Sequence, residues 1–218
     1  MRRKAIFFAI GILVSAMSFS GCKKDNKTAP ATVDHSGAIK NTVWTGESNY
    51  TGKAVEPVSI AFNADGSLTF YELSGEHGGI WKLDNEKLTV SIDGTVSFKA
   101  DIVGDNSLSN IQNSDVNGRN LKNAALNAGD DPILDNTTWT APNLVLKFKP
   151  GQKVDMILGG GAIPLYSNVT YVRKGKSIRF TPIVTYNWFM ITNSSTSMKG
   201  ANSFSPDPTV YPFTATKQ

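Results

Sequence analysis

The 218-residue chain has one cysteine, two histidines and no long hydrophobic run. A single cysteine, Cys22, excludes a disulfide within the chain. Two histidines, His35 and His77, cannot supply a histidine-rich metal shell, because zinc asks for three or four converging ligands. In the folded part only His77 could act as base for a nucleophilic triad, and no Gly-x-Ser-x-Gly turn accompanies it. The sequence therefore offers no catalytic residue, no metal ligand set and no cofactor site, and an enzyme is not expected. His35 falls in a polar stretch and is expected in a tether. His77, in "SGEHGGI", is expected as a solvated loop histidine.

The longest apolar run, residues 5–17, counts 13 residues, where a membrane-spanning helix needs about 20. Helical periodicity is weak except in "RNLKNAALNA" (119–128), which fits either a short helix ending at Gly129 or a last strand of poor β-propensity. "GKS" at 175–177 lacks both the earlier glycine and the following helix of a phosphate loop, so a hairpin turn is expected there.

What is present begins at the N-terminus. Arg2, Arg3 and Lys4 precede the apolar run, and small residues lead to Cys22. This is the layout of a secretory signal, with a charged region, a short apolar region and a processing site. The stretch "FSGC" resembles the lipobox of bacterial lipoproteins, with Phe19 in place of the more usual Leu or Val. The resemblance implies cleavage after Gly21 and acylation of Cys22. It also implies a membrane partner reached through the lipid, since two or three acyl chains anchor stably. Lys23, Lys24, Asp25 and Asn26 look like the short charged tract of Bacteroidota-type lipoproteins. That likeness implies an outer-membrane lipoprotein, surface-exposed or otherwise facing the periplasm. Loss of residues 1–21 removes three basic residues and no acidic ones, so 22 Lys+Arg against 18 Asp+Glu becomes 19 against 18. A near-neutral chain gives no reason to expect nucleic acid.

After a polar tether (22–40), "NTVWTG" at 41–46 is echoed by "NTTWTA" at 136–141. "VSIAFNADGSLTF" (58–70) parallels "LVLKFKPGQKVDM" (144–156). "GIWKLDNEKLTVSI" (79–92) parallels "VTYVRKGKSIRFTP" (169–182), and "VSFKADIVGDNSLSN" (96–110) parallels "YNWFMITNSSTSMKG" (186–200). The order is conserved between the halves, which marks an internal duplication with units at 41–126 and 135–218 and a linker at 127–134. Within each unit, apolar residues alternate with period two between Asp-Gly-type and Pro-Gly-type turns. That pattern argues for antiparallel β-structure. In unit one Ile60, Phe62, Leu68, Phe70, Leu88, Val90, Ile92 and Phe98 share the inward phase. Trp44 and Trp139 are expected in the cores.

"NT.WT", "F..DG", "W.LD...L.V" and "F....V..NSL" together resemble the lipocalin-like domain of bacterial lipoproteins. In unit two Tyr171 replaces Trp81 and the Asp-Gly turn is missing. The resemblance implies an all-β chain of two tandem small antiparallel meander barrels and no catalytic residues. A single barrel shared by both units stays open as an alternative.

Two sets of residues are candidates for contact with a ligand or partner. The first comprises the Gly-rich segments Gly75, His77, Gly78, Gly79 and Gly159, Gly160, Gly161, which are expected as loops at a barrel mouth. The second follows from a charge split: residues 41–126 carry 6 basic against 11 acidic side chains, and residues 133–218 carry 9 against 3. Lys147, Lys149, Arg173, Lys174 and Arg179 are thus candidate anion contacts, or the basic half of a docking surface between the units. The expected function is a lipid-anchored binding or interaction protein of the cell envelope, its partner a protein, a glycan or a small apolar ligand. The alternative is a carrier holding an apolar or anionic ligand inside a barrel or between the units. Cys22→Ala should release the protein from membranes and block removal of the leader, as membrane fractionation and intact mass would record. Unchanged fractionation and mass would refute lipidation.

Overall fold

A computed structural model describes residues 35–205 and 209–218; Cys22 and most of the tether lie outside them. A short helix α1 (Ser36–Ile39) leads into β1 (Thr42–Tyr50), β2 (Glu56–Phe62), β3 (Ser67–Glu72), β4 (Gly75–Asp84), β5 (Lys87–Ile92), β6 (Thr95–Val103), β7 (Ser107–Asn113) and β8 (Arg119–Leu126). These eight strands form a closed antiparallel meander barrel. A second closed barrel follows: β9 (Thr137–Ala141), β10 (Leu144–Lys149), β11 (Lys153–Leu158), β12 (Tyr166–Lys174), β13 (Ser177–Ile183), β14 (Tyr186–Thr192), β15 (Ser197–Phe204) and β16 (Val210–Lys217). The fold is all-β, with two separate barrels and not one shared barrel. The ambiguous 119–128 segment is strand: β8 pairs with β1, and tertiary pairing overrides its helical composition. The "GKS" segment is the β12–β13 turn.

The repeated Asn-Thr-x-Trp has a physical reason at each position. Trp44 and Trp139 are fully buried. Each indole Nε1 donates to the threonine two residues earlier, Thr42 at 3.0 Å and Thr137 at 2.9 Å. Those hydroxyls donate in turn to the carbonyls of Ile39 and Leu134. Ile39 and Leu134 are themselves buried and plug the closed end of each barrel. The preceding asparagines, Asn41 and Asn136, have φ of 58° and 60°. Asparagine tolerates that left-handed turn better than most residues. One short motif therefore turns the chain, fixes the plug and satisfies a buried indole that would otherwise lack an acceptor.

The plugs lie just ahead of residues 41 and 135, so the repeating structure reaches further back than the sequence echo. His35, expected in the tether, is buried and hydrogen-bonded to Asp105, with Glu86 3.8 Å away. Its bond to Asp105 raises the imidazole above its ordinary pKa.

All eight inward residues of unit one are buried in a single core with Trp44 and Trp81. Phe62 bridges the two indoles edge-on, at 6.4 and 6.0 Å. Phe148 and Tyr171 repeat the second contact at 5.3 Å.

The barrels touch through their outer walls. Phe189, Ile191 and Ala201 pack with Leu73 and Tyr71. Lys199–Glu47 (2.7 Å) and Lys174–Glu76 (2.5 Å) link the basic unit to the acidic one. Exposed pairs of this kind contribute little, about 0–1 kcal/mol, so the apolar patch dominates. Thr137→Val should lower stability by roughly 1–3 kcal/mol, because it leaves the Trp139 N–H buried without an acceptor. Urea unfolding measures this, and Thr42→Val should reproduce it in the first barrel.

Candidate functional site

The two barrels differ most at their open ends, and the difference starts in the chain. After the shared Trp-Thr, β1 runs on for nine residues and pairs with β8 from Trp44 opposite Leu126 to Tyr50 opposite Arg119. Gly46 makes that closure possible, because a Cβ there would stand 1.9 Å from the Asn123 carbonyl oxygen. In the second unit Pro142 follows Ala141, and β9 ends after five residues. The closing seam there pairs Thr216 with Thr140 and Lys217 with Trp139, and ends in a bond from Gln218 N to Thr138 O. In this register Ala141, the last residue of β9, would face Ala215, so the strand's own end limits the ladder. The upper part of the seam is therefore unzipped.

The open end of the first barrel is shut by buried polar side chains. Glu72, its side chain fully buried, accepts from Tyr50 Oη (2.5 Å), Ser74 Oγ (2.6 Å), and Arg119 Nε (3.3 Å) and Nη2 (3.2 Å). Arg119 also donates to Asp115 (2.7 Å), which accepts from Ser97 (2.8 Å), and its guanidinium lies over the Phe70 ring. Burial and the bond to Glu72 push the Tyr50 hydroxyl up to about 12. Burial, reinforced by the charge of Glu72, pushes the buried Glu56 up to about 8, although the Leu73 amide and Arg119 pull the other way.

His77 belongs to this plug. Its Nδ1 is 2.8 Å from Asp93, and its Nε2 is 3.0 Å from Glu72 and 3.2 Å from Ser74 Oγ. The expected loop at Gly75, His77, Gly78 and Gly79 is in fact the first half of β4, paired with β3. Cross-strand pairing, not backbone freedom, decides its conformation. Among the described residues no three His, Cys, Asp or Glu side chains form a metal shell.

The second barrel has aromatic rings in place of this network. The repeat sets Leu158 where the first barrel has Glu72, and Trp188 where it has Phe98. Trp188 stacks on Phe180 (5.8 Å, 6° between planes) and meets Tyr186 at 5.1 Å and Phe213 at 5.4 Å. Tyr186 continues to Phe204 and Tyr166. Phe213 fits because its cross-strand partner is Gly200, where a Cβ would stand 2.3 Å from the ring.

Between these rings and the unzipped seam lies a cleft of about 470 Å³, lined by Leu144, Leu158, Tyr186, Trp188, Asn202 and Phe213 among others. The indole Nε1 of Trp188 is buried here and finds no acceptor among the described residues. Gly159, Gly160 and Gly161 do form a loop at this end; Gly159 N donates to Asn143 O, one step beyond the β10–β11 ladder. The same loop carries Ile163 (82% exposed) and Leu165 (62%), and the β13–β14 turn carries Val184 (94%).

The candidate cations scatter. Lys147 and Lys149 lie on β10, and Lys149 pairs with Asp155 at 2.5 Å. Arg173 binds the 127–134 segment through the Pro132 carbonyl (2.7 Å) and Asp131 (3.7 Å). Lys174 and Arg179 face the first barrel and approach Glu76 and Ser74, and Arg179 lies beside Gly75 of the first candidate set. No sequence signal marks the aromatic mouth beyond the density of rings in 186–213.

Glu56 supplies a pH signature for the sealed end. An ordinary glutamate in the unfolded chain ionises near 4.5, whereas the folded one holds its proton to about 8. The folded state thus binds more protons in this window, and the protein loses stability as pH rises from 4.5 to 8. Glu56→Gln should flatten that slope and gain ~2 kcal/mol or more over the wild type at pH 8 relative to pH 5. Denaturant midpoints across pH give the test.

Comparison with protein-family models, with curated proteins and with solved structures returns no match.

Proposed function

We propose that this is a lipid-anchored binding protein of the cell envelope whose ligand site is the open mouth of the second barrel. The observation that carries this reading is the Trp188 N–H, buried without an acceptor on the floor of an aromatic cleft. A buried donor costs free energy until it is met. A ligand with an apolar or aromatic body and one acceptor atom would supply both the contact area and the missing bond. The unzipped seam between β9 and β16 is the entry path. The first barrel serves as scaffold, because its interior is filled by its own side chains. Anchorage follows from the lipobox-like "FSGC". No catalytic role is assigned to any residue.

A second reading, an interaction module for a protein or surface glycan, draws on one feature: the exposed Ile163, Leu165 and Val184 around the same mouth. A neutral fluorescent probe such as N-phenyl-1-naphthylamine should bind the wild type and be displaced by long-chain fatty acids and monoacylglycerols. Trp188→Phe keeps the ring but loses the donor, and should weaken monoacylglycerol binding by about tenfold, ~1.4 kcal/mol. Saturating ligand should raise the melting temperature of the wild type. Absence of displaceable binding would overturn the carrier reading in favour of the interaction module.

A further inference from the structure

A second cleft, of about 570 Å³, lies where the outer wall of the second barrel meets the β3–β4 turn of the first. Val172, Ser177 and Arg179 form its floor; Tyr71, Gly75 and Glu76 form its wall. Ser177 and Arg179 are two apart on β13, so both point outward from the barrel into the cleft.

Its charges do not balance. Lys174 and Glu76 neutralise each other at 2.5 Å. Arg119 has Glu72 and Asp115, and Arg173 has Asp131. Arg179 has no carboxylate partner among the described residues; its hydrogen bond runs from Nη2 to the Ser74 carbonyl at 3.1 Å. That bond holds the guanidinium in place and leaves Nε and Nη1 to donate. Gly75 puts no side chain beside it; even an added Cβ would stand 3.7 Å from Nη1. Next to Arg179, Ser177 is only 3% exposed, and its hydroxyl has no hydrogen-bond partner among the described residues. A positioned guanidinium and an unmatched buried hydroxyl on one wall of a roomy cleft call for the same thing, a small anion with an acceptor to spare.

We propose that this inter-barrel cleft is a ligand site distinct from the aromatic mouth, and that it takes a small carboxylate with an apolar body. The carboxylate lies against Arg179, whose planar fork matches it, and accepts from Ser177. The apolar body runs along Val172 and Tyr71. Lys174 and Glu76 cancel, so Arg179 is the one unbalanced cation of the cleft and a monoanion matches it, whereas a dianion such as a phosphate ester would leave one charge uncompensated. Because floor and wall come from different barrels, the bound molecule also ties the two together.

The test uses the detergent-solubilised full chain, titrated with 4-phenylbutyrate, its neutral amide and phenyl phosphate, and followed by backbone amide shifts. Phenylbutyrate should move the amides of 74–76 and 177–181 and bind about tenfold tighter than the amide. Arg179→Gln should remove that advantage, and Ser177→Ala, a smaller change that spares the Ser74 bond, should weaken binding several-fold. Trp188→Phe, in the other cleft, should leave it unchanged. Equal affinity for acid and amide, indifference to both β13 variants, tighter binding of phenyl phosphate, or no shift in either segment would each overturn the proposal.

Discussion

The structure depends on a relay of two hydrogen bonds made twice, from a buried indole to a threonine hydroxyl and from that hydroxyl to the carbonyl of a plug residue. An eight-stranded barrel has an interior just wide enough to be filled by side chains. It needs one large group across the closed end, and tryptophan is the largest available. Its N–H must be met inside a dry core, and the threonine meets it while tying down Ile39 or Leu134. Everything else in each barrel packs above that floor. The relay explains why the two units share this motif more closely than any other segment.

Above the shared floor the units diverge, and the proposed ligand site rests on that divergence. A proline after the first strand of the second unit shortens β9, which leaves its seam unzipped. The longer β1 pairs with β8 along its length, and the thin seam of the first barrel lies instead between β7 and β8, which pair only at Ser107 opposite Ala125. Glu72 and Arg119 then shut the first mouth with charge, whereas Leu158 and Trp188 line the second with apolar surface. A buried ion pair of this kind adds little net stability over apolar packing, but losing one partner is costly. The network therefore holds the first mouth shut and makes loss of either partner costly. The cleft between the barrels arises from the same duplication, since two convex walls joined by a small apolar patch leave a groove beside it.

Sequence reading had most success where the physics is local. Period-two alternation at Ile60, Phe62, Leu68 and Phe70 identified core side chains, because a strand's faces are fixed by its own pleat. It failed at "SGEHGGI", where glycines suggested a loop and pairing with β3 made a strand. It also misplaced His77, whose partners Glu72 and Asp93 come from β3 and the β5–β6 turn. His35 was misjudged for the same reason, its partner Asp105 lying 70 residues away.

The sequence by itself determined the antiparallel β class, the duplication and the burial of the two tryptophans. Each follows from spacing between neighbours along the chain and from residue size. Only the tertiary structure decided that each unit closes on itself, that one mouth is sealed and the other open, and that Lys174 and Arg179 face the first barrel. Those outcomes depend on which strands meet at the seam and on which distant side chains share one buried space. Contacts such as Arg119 with Glu72, 47 residues apart, exist only once the barrel has closed.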